Sequence, residues 1–366
     1  MEFDIFFSIC QTDVHGYMPD EATMFRHFFE QVELADQLGC GTAWVAESHL
    51  STEIQKMNPG AVIPHFVGEI GLNTDILQLA HRVFARTRRI GVGSAIMNIL
   101  CNGGPIAAAE RVKTFLALHG LDPDEQRLLT VGFASGRFPF INVPYGIVPR
   151  DDFERAHWPA VKLRIFEEAT EIFLRLLRGD VLSSDIVARR SVDGTELAPR
   201  WVFPKLKIVP QEPRMDLLRL SIGSHDPKLQ EFANTILPVG VFNLSITPGD
   251  EIDRTNRLMA TAYHGGGWQR RLMPRTVLVF ASEEEATRSL SNYWRALEGT
   301  LDEEKVRRAT NNALVGDAEA IAKQMRERFH PDDRLMLWFD FNNHDSKRVM
   351  QNMDAFMTTV APSFSG

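Results

Sequence analysis

Short apolar runs recur along the chain, separated by longer stretches in which apolar residues return every three or four positions. Phe3–Ile9 predicts a first strand, buried on both faces. Glu21–Gln37 sets Phe25, Phe28, Phe29, Val32 and Ala35 on one helical face, and Gly39 ends it. Further strands are predicted at Thr42–Ala46, Arg89–Met97, Arg127–Phe133, Leu217–Ile222, Val239–Ser245, Thr276–Phe280 and Leu335–Phe341. Helices are predicted at Leu72–Ala85, Pro105–Leu118, Asp152–Arg178 (kinked near Pro159), Pro227–Thr235, Gly249–Tyr263, Glu283–Ala296, Asp317–Arg328 and Ser346–Val360. Strands apolar enough to be buried on both faces, alternating with helices, are the pattern of a parallel sheet covered by helices. Eight such units predict a (β/α)8 TIM barrel, a single domain over residues 1–366. An open doubly wound sheet is the rival, weakened because no GxGxxG follows the first strand.

Two stretches interrupt the alternation. Leu50–Gly71, after strand 2, contains Asn58-Pro59-Gly60 and Pro64. Asp180–Asp216, between helix 4 and strand 5, carries the hairpin signal Asp193-Gly194 and four prolines: Pro199, Pro204, Pro210 and Pro213. Connections of this length are expected to be insertions or lids over a site.

Composition narrows the function classes. Forty basic residues against 48 acidic ones leave a net charge of -8. The basic runs, such as Arg86-Thr87-Arg88-Arg89, are short, so no nucleic-acid partner is expected. Cys10, Cys40 and Cys101 are odd in number and lack a CxxC pair, which argues against disulfides and zinc and for a reducing, cytoplasmic setting. No basic segment precedes the first apolar run, so no signal peptide is expected. No uncharged apolar stretch approaches the roughly 18 residues of a membrane span.

In a barrel, chemistry sits at the C-terminal ends of the strands. Those ends read Ser8-Ile9-Cys10-Gln11, Glu47-Ser48-His49, Ser94-Ala95-Ile96-Met97-Asn98, Ala134-Ser135-Gly136-Arg137, Gly223-Ser224-His225-Asp226, then Asn243 and Ser245, and finally Asp340, Asn342 and Asn343. Small residues at Ser135-Gly136 and Gly223-Ser224 let backbone N–H groups approach an anion, and Arg137 adds charge, which suits a cofactor phosphate. Glu47 and His49 are the candidate site carboxylate and imidazole, and Met97 is a candidate contact for a cofactor ring.

The ordered strand ends resemble a family. Ala43-Trp44-Val45-Ala46-Glu47-Ser48-His49 is similar to the strand-2 motif of bacterial luciferase-like monooxygenases, and Arg89-Ile90-Gly91-Val92-Gly93-Ser94-Ala95 to their strand 3. Pro105 with Ala109-Glu110, Val131 to Gly136 ending at Tyr145-Gly146, Val315-Gly316-Asp317-Ala318-Glu319 and Phe356 to Pro362 extend the likeness over nearly the whole chain. The resemblance implies a flavin-dependent monooxygenase taking reduced FMN from an NAD(P)H:flavin reductase and acting with molecular oxygen on a small organic molecule. It also implies a homodimer and a non-proline cis peptide within Ser94-Ala95-Ile96. Ser94, Ala95, Met97 and Asn98 would then meet the ring, Ser135, Gly136, Arg137, Gly223 and Ser224 the phosphate, and Glu47 and His49 the reacting edge. Two departures stand out. Ser48 occupies the position of the histidine that serves catalysis in luciferases, and a hydroxyl is no general base near neutral pH. Ser135 stands where luciferases place their phosphate arginine, with Arg137 two residues on. An F420-dependent oxidoreductase and a flavin-binding relative without turnover are therefore the alternatives.

Overall fold

A computed structural model describes residues 1–57, 65–136, 138–297 and 311–364, with backbone alone at Pro139 and at 292–297. The central sheet is parallel. Its strands are β1 (Glu2–Phe7), β2 (Thr42–Val45), β3 (Gly91–Asn98), β4 (Leu129–Ala134), β5 (Leu218–Ile222), β6 (Gly240–Val241), β7 (Arg275–Phe280) and β8 (Arg334–Trp338). They pair in the order β6-β5-β4-β3-β2-β1-β8-β7. The sheet curls until its ends touch: Asn243, just past β6, forms one isolated parallel bridge with Arg275 of β7.

Side chains alternate across this wall because successive residues of a strand point to opposite faces. Phe3, Ile5 and Phe7 of β1 join the large outer core with the helices, whereas Phe6 joins an inner cluster with Trp44, Phe242 and Met336. Trp44 fills the interior and donates from Nε1 to Asp4 at 2.7 Å. Arg334 Nε reaches the same carboxylate at 2.7 Å, so a buried ion pair closes the N-terminal end of the sheet. Gly93 makes room for the indole: a Cβ there would lie 2.6 Å from the Trp44 ring.

The outer layer contains α1 (Glu21–Leu38), α2 (Ile76–Arg86), α3 (Gly104–His119), α4 (Trp158–Arg178), α5 (Pro227–Asn234), α6 (Gly249–Ala262), α7 (Glu283–Leu297), α8 (Ala318–Arg328) and α9 (Ser346–Ala355). Caps explain several boundaries. Asp20 accepts from Thr23 N and Asp75 from Leu77 N, and Gly39 and Gly179 end α1 and α4 in the left-handed conformation.

Four departures from the sequence pattern have local causes. The predicted helix Asp152–Arg178 is two helices, Asp152–Ala156 and α4, with Pro159 in the first turn of the second, where its missing N–H costs nothing. The last predicted helix gives way at Phe356 to a π-helical turn, Phe356–Val360. The predicted strand Val239–Ser245 keeps only Gly240–Val241 in the ladder. Leu244 N donates to Thr247 Oγ1 at 3.1 Å and Thr247 N to Leu244 O at 3.0 Å, a turn that pulls the chain out of the sheet. Above that point a short unpredicted strand, Leu314–Val315, pairs with Val279 and Phe280 of β7 in place of β6. The sheet is thus a curled parallel wall with an irregular join, not a uniform ring of eight units.

The predicted insertions pack on this frame. In Leu50–Gly71, a short helix Thr52–Lys56 is followed by Gly68–Glu69, which pairs antiparallel with Gln11–Thr12; residues 58–64 lie outside the described residues. Gly68 adopts φ 92°, and a Cβ there would lie 1.9 Å from Gln11 O. In Asp180–Asp216, Asp193-Gly194 turns the hairpin Ser191–Val192/Thr195–Glu196 as predicted. Arg200 anchors this insertion through a buried ion pair with Glu154 at 2.9 Å. Among the described residues, no helix is long and apolar enough to cross a membrane.

Candidate active site at the strand ends

The C-terminal ends of β2, β3 and β4 converge on one hydrogen-bonded network. Its centre is Glu47, whose Oε1 accepts from His49 Nε2 at 3.1 Å and from the Asn98 backbone N–H at 3.3 Å. A ring nitrogen facing a carboxylate must carry the proton, so Nε2 is the donor. Asn102 Nδ2 lies 3.4 Å from Nδ1 on the other side of the ring. Both side chains are buried, at 5% and 4% exposure. Both ring nitrogens of His49 are therefore engaged, and its geometric role is to orient Glu47 beneath the end of β3.

The network continues through Asn98. Its Nδ2 donates to Asn142 Oδ1 at 2.8 Å and contacts Cys101 Sγ at 2.8 Å, while Leu100 N donates to Asn98 Oδ1 at 3.0 Å. Asn142 Nδ2 in turn donates to Ser135 O at 2.9 Å. Burial, followed by the Glu47 charge, pushes the Cys101 thiol up to about 12, so it is a structural hydrogen-bonding group and not a nucleophile.

The peptide bond between Ala95 and Ile96 is cis, within the tripeptide where the resemblance placed it. Ala95 and Ile96 pack on the inner cluster. Ser94 and Met97 do not: both are buried, and Met97 belongs to the outer core behind the strand. Any contribution of these two to the mouth comes from backbone. Ala95 and Asn98 are the members of that set whose side chain or N–H reaches the network or the inner face.

Ser135, Gly136, Gly223 and Ser224 form a small-residue rim beside the cis bond. A Cβ on Gly136, at φ 78°, would lie 2.3 Å from Asn98 Nδ2; one on Gly223 would lie 2.6 Å from Ile96 Cδ1. Ser224 Oγ accepts from Asp226 N at 3.3 Å at the start of α5. Arg137 lies outside the described residues. A cation that strand-end reading misses is present instead: Lys162, in the second turn of α4, donates from Nζ to Gly136 O at 3.2 Å. Among the described residues it has no carboxylate partner, and burial holds its amine below the usual lysine range. Nothing in the local sequence marks it, because α4 reaches the rim only through packing. Glycines that admit backbone to an anion, with an uncompensated lysine beside them, fit a phosphate-bearing cofactor.

Two cavities lie elsewhere. One of about 400 Å³ opens at the N-terminal end, against Thr42, Thr130, Ser221 and Arg334; another of about 720 Å³ separates α1 from α2. Neither contains a residue of the network, and the chemistry of the strand ends outweighs their size.

A profile of the family described as luciferase-like monooxygenase matches residues 1–336. The chain belongs to the luciferase-like monooxygenase family. Solved structures agree in fold. The monooxygenase RslO1 from Streptomyces bottropensis shares 18% identity at a TM-score of 0.69, with both chains fully covered. The oxygenating constituent of 3,6-diketocamphane monooxygenase from Pseudomonas putida, solved with FMN, shares 12% at 0.58, covering 99% of this chain and 98% of that one. An F420-dependent secondary alcohol dehydrogenase shares 14% at 0.60, covering 100% and 99%. No curated protein sequence matches the chain significantly. The Ser48 Oγ is buried without a hydrogen-bond partner among the described residues, so it takes no part in the Glu47–His49 network beside it.

Proposed function

We propose that the chain is a flavin-dependent monooxygenase acting on a small organic molecule, with reduced FMN supplied by a separate NAD(P)H:flavin reductase. The rim carries this reading: glycines where a Cβ would collide, and Lys162 without an acidic partner. Ser135, Gly136, Ser224 and Lys162 would hold the phosphate. The Ala95–Ile96 segment would support the ring, and Glu47, locked by His49 and the Asn98 N–H, would fix the height of that segment. Arg137 joins the phosphate set in this reading, as does Gly223. When bound, reduced flavin supplies the electrons that activate oxygen; the chain excludes water and orients the substrate. We read the curled sheet as a (β/α)8 barrel because the Asn243–Arg275 bridge joins its ends. The protein is further proposed to be a homodimer and cytoplasmic, the latter because its three cysteines are all free.

Titration with FMN, reduced FMN and F420, followed by oxygen uptake with the tightest binder, tests the reading. Binding of FMN with oxygen consumption supports it. Turnover without oxygen in the presence of F420 would favour an F420-dependent oxidoreductase instead. The second reading, a flavin binder without turnover, draws on His49: both its nitrogens are engaged and its neighbour is Ser48. Tight flavin binding with no oxygen uptake, unchanged by Ser48→His, would establish that second reading.

A further inference from the structure

Asp340 lies two residues past β8, beside the end of β1. The alternation along β8 places it with Met336 and Trp338, on the inner face, whereas Phe339 joins the outer core. Its carboxyl is asymmetric. Oδ1 is sealed from solvent without a hydrogen-bond partner among the described residues, whereas Oδ2 is not among the sealed, unpartnered atoms. The Trp338 indole N–H, likewise sealed, and the backbone N–H groups of Asp340 and Ser8 draw its acidity the other way, but burial outweighs them. No lysine, arginine or histidine forms an ion pair with it among the described residues. The titratable groups around it are Cys10 at the end of β1 and, beyond that thiol, Glu69, whose carboxylate is occupied by Thr52 N and Oγ1.

An ionised carboxylate without a cation is costly to enclose, and the N–H groups beside this one do not offset the burial, so the proton stays on. With Oδ1 sealed from solvent, that proton belongs on Oδ2. A protonated carboxyl is a hydrogen-bond donor, and a donor beside the packed rings of Phe6, Trp338 and Phe341 suits an acceptor on a flat apolar body. We propose that Asp340 donates through Oδ2 to the carbonyl oxygen of a ketone, aldehyde or quinone substrate, with Trp338 as the positioning residue behind it. An ammonium or alcohol donor would be better served by an ionised acceptor, and an acid would be repelled once Asp340 ionises. Burial pushes this carboxyl up to about 7, which makes the donor form available at and below neutral pH. The inference rests on the strand ends being the substrate chamber and deepens the proposed oxygenase reading.

The test uses the full chain in two measurements. Infrared difference spectra between pH 5.5 and pH 8.5 should show the C=O band of a protonated carboxyl that Asp340→Asn removes; this readout needs neither flavin nor substrate. Calorimetry with acetophenone, against ethylbenzene as the probe lacking an oxygen, should show about fivefold tighter binding of the ketone at pH 5.5, a preference that disappears at pH 8.5. Asp340→Ala should abolish the preference at both pH values. Asp340→Asn, which keeps an N–H donor, should retain it and lose its pH dependence. Trp338→Phe should weaken the preference and shift its pH profile. Absence of the infrared band, no preference for the ketone in the wild type, or a pH dependence that survives Asp340→Asn would each overturn the proposal. Failure to bind FMN would count against the flavin reading alone, since the infrared result stands without it.

Discussion

Replacing Asp340 by asparagine should stabilise the protein, and by an amount that depends on pH in a predictable way. In the unfolded chain this carboxyl ionises with an ordinary value of 3.8; in the folded chain burial raises it to about 7. For an acid whose folded value is raised, ionisation favours unfolding. The wild type therefore matches Asp340→Asn below pH 4, loses ground steadily between about pH 4 and 7, and falls no further above that. A rise from 3.8 to about 7 corresponds to about 4 kcal/mol at the plateau. The carboxyl is enclosed by protein but the residue keeps some accessible surface, and solvent reaching Oδ2 halves the figure to about 2 kcal/mol. Asparagine can turn its carbonyl toward the Trp338 N–H, so the substitution creates no new orphan on that side. Urea unfolding of both proteins at half-unit steps from pH 4 to 8.5 measures the difference directly. A difference that is flat across this range would show that Asp340 ionises normally, and the argument for a neutral carboxyl would fall with it.

Lys162→Met should weaken FMN binding by about 10- to 100-fold, the scale of one charge-assisted phosphate contact, while leaving riboflavin binding unchanged; equal losses for both would place the lysine elsewhere. FMN affinity should also fall as pH rises, because burial already favours the neutral amine. Glu125, held low at about 2 chiefly by its hydrogen bonds from Arg127, should stabilise the fold above pH 4.5 and lose that contribution as pH falls towards 2. Glu125→Gln should thus cost about 2 kcal/mol at pH 7, with the gap to wild type closing in acid as read by thermal melts. Gly93→Ala drives a methyl into the Trp44 ring, which its bond to Asp4 keeps in place, and should cost about 1–3 kcal/mol in urea unfolding.

Much of the architecture can be read from the amino-acid pattern because strands buried on both faces leave an unambiguous mark. Phe3–Phe7, Thr42–Val45 and Leu218–Ile222 are dominated by residues that bury on both faces, Asp4 and Arg219 being the charged exceptions, and each is a strand. The failures occur where a side chain or a distant segment competes for the backbone. Nothing in Val239–Ser245 announces that Thr247 will capture the Leu244 N–H. Two-residue ladders such as Gln11–Thr12 with Gly68–Glu69 are too short to carry a periodicity. The site shows the same division. Glu47 and His49 are visible as polar residues ending an apolar strand, but their mutual engagement is a matter of 3.1 Å. The position of the cis bond was accessible only through resemblance, since neither Ala95 nor Ile96 favours it locally. Lys162 is invisible in a helical heptad, and the isolation of Asp340 depends on what fails to surround it.

The bridge between Asn243 and Arg275 makes the sheet a clasp and not a hoop. Two main-chain hydrogen bonds fasten β6 to β7, Asn243 N to Pro274 O and Thr276 N to Asn243 O, with Asn312 Nδ2 to Ser245 O as a side-chain stitch above them. On the far side of the wall, β4 and β5 are zipped over five consecutive residue pairs. Any outward breathing of the wall therefore unfastens first at this seam, and the amide protons of Asn243 and Thr276 should exchange with deuterium ahead of those in the β3–β5 ladders. The scaffold is closed on itself, yet it carries its own weak stitch along one edge.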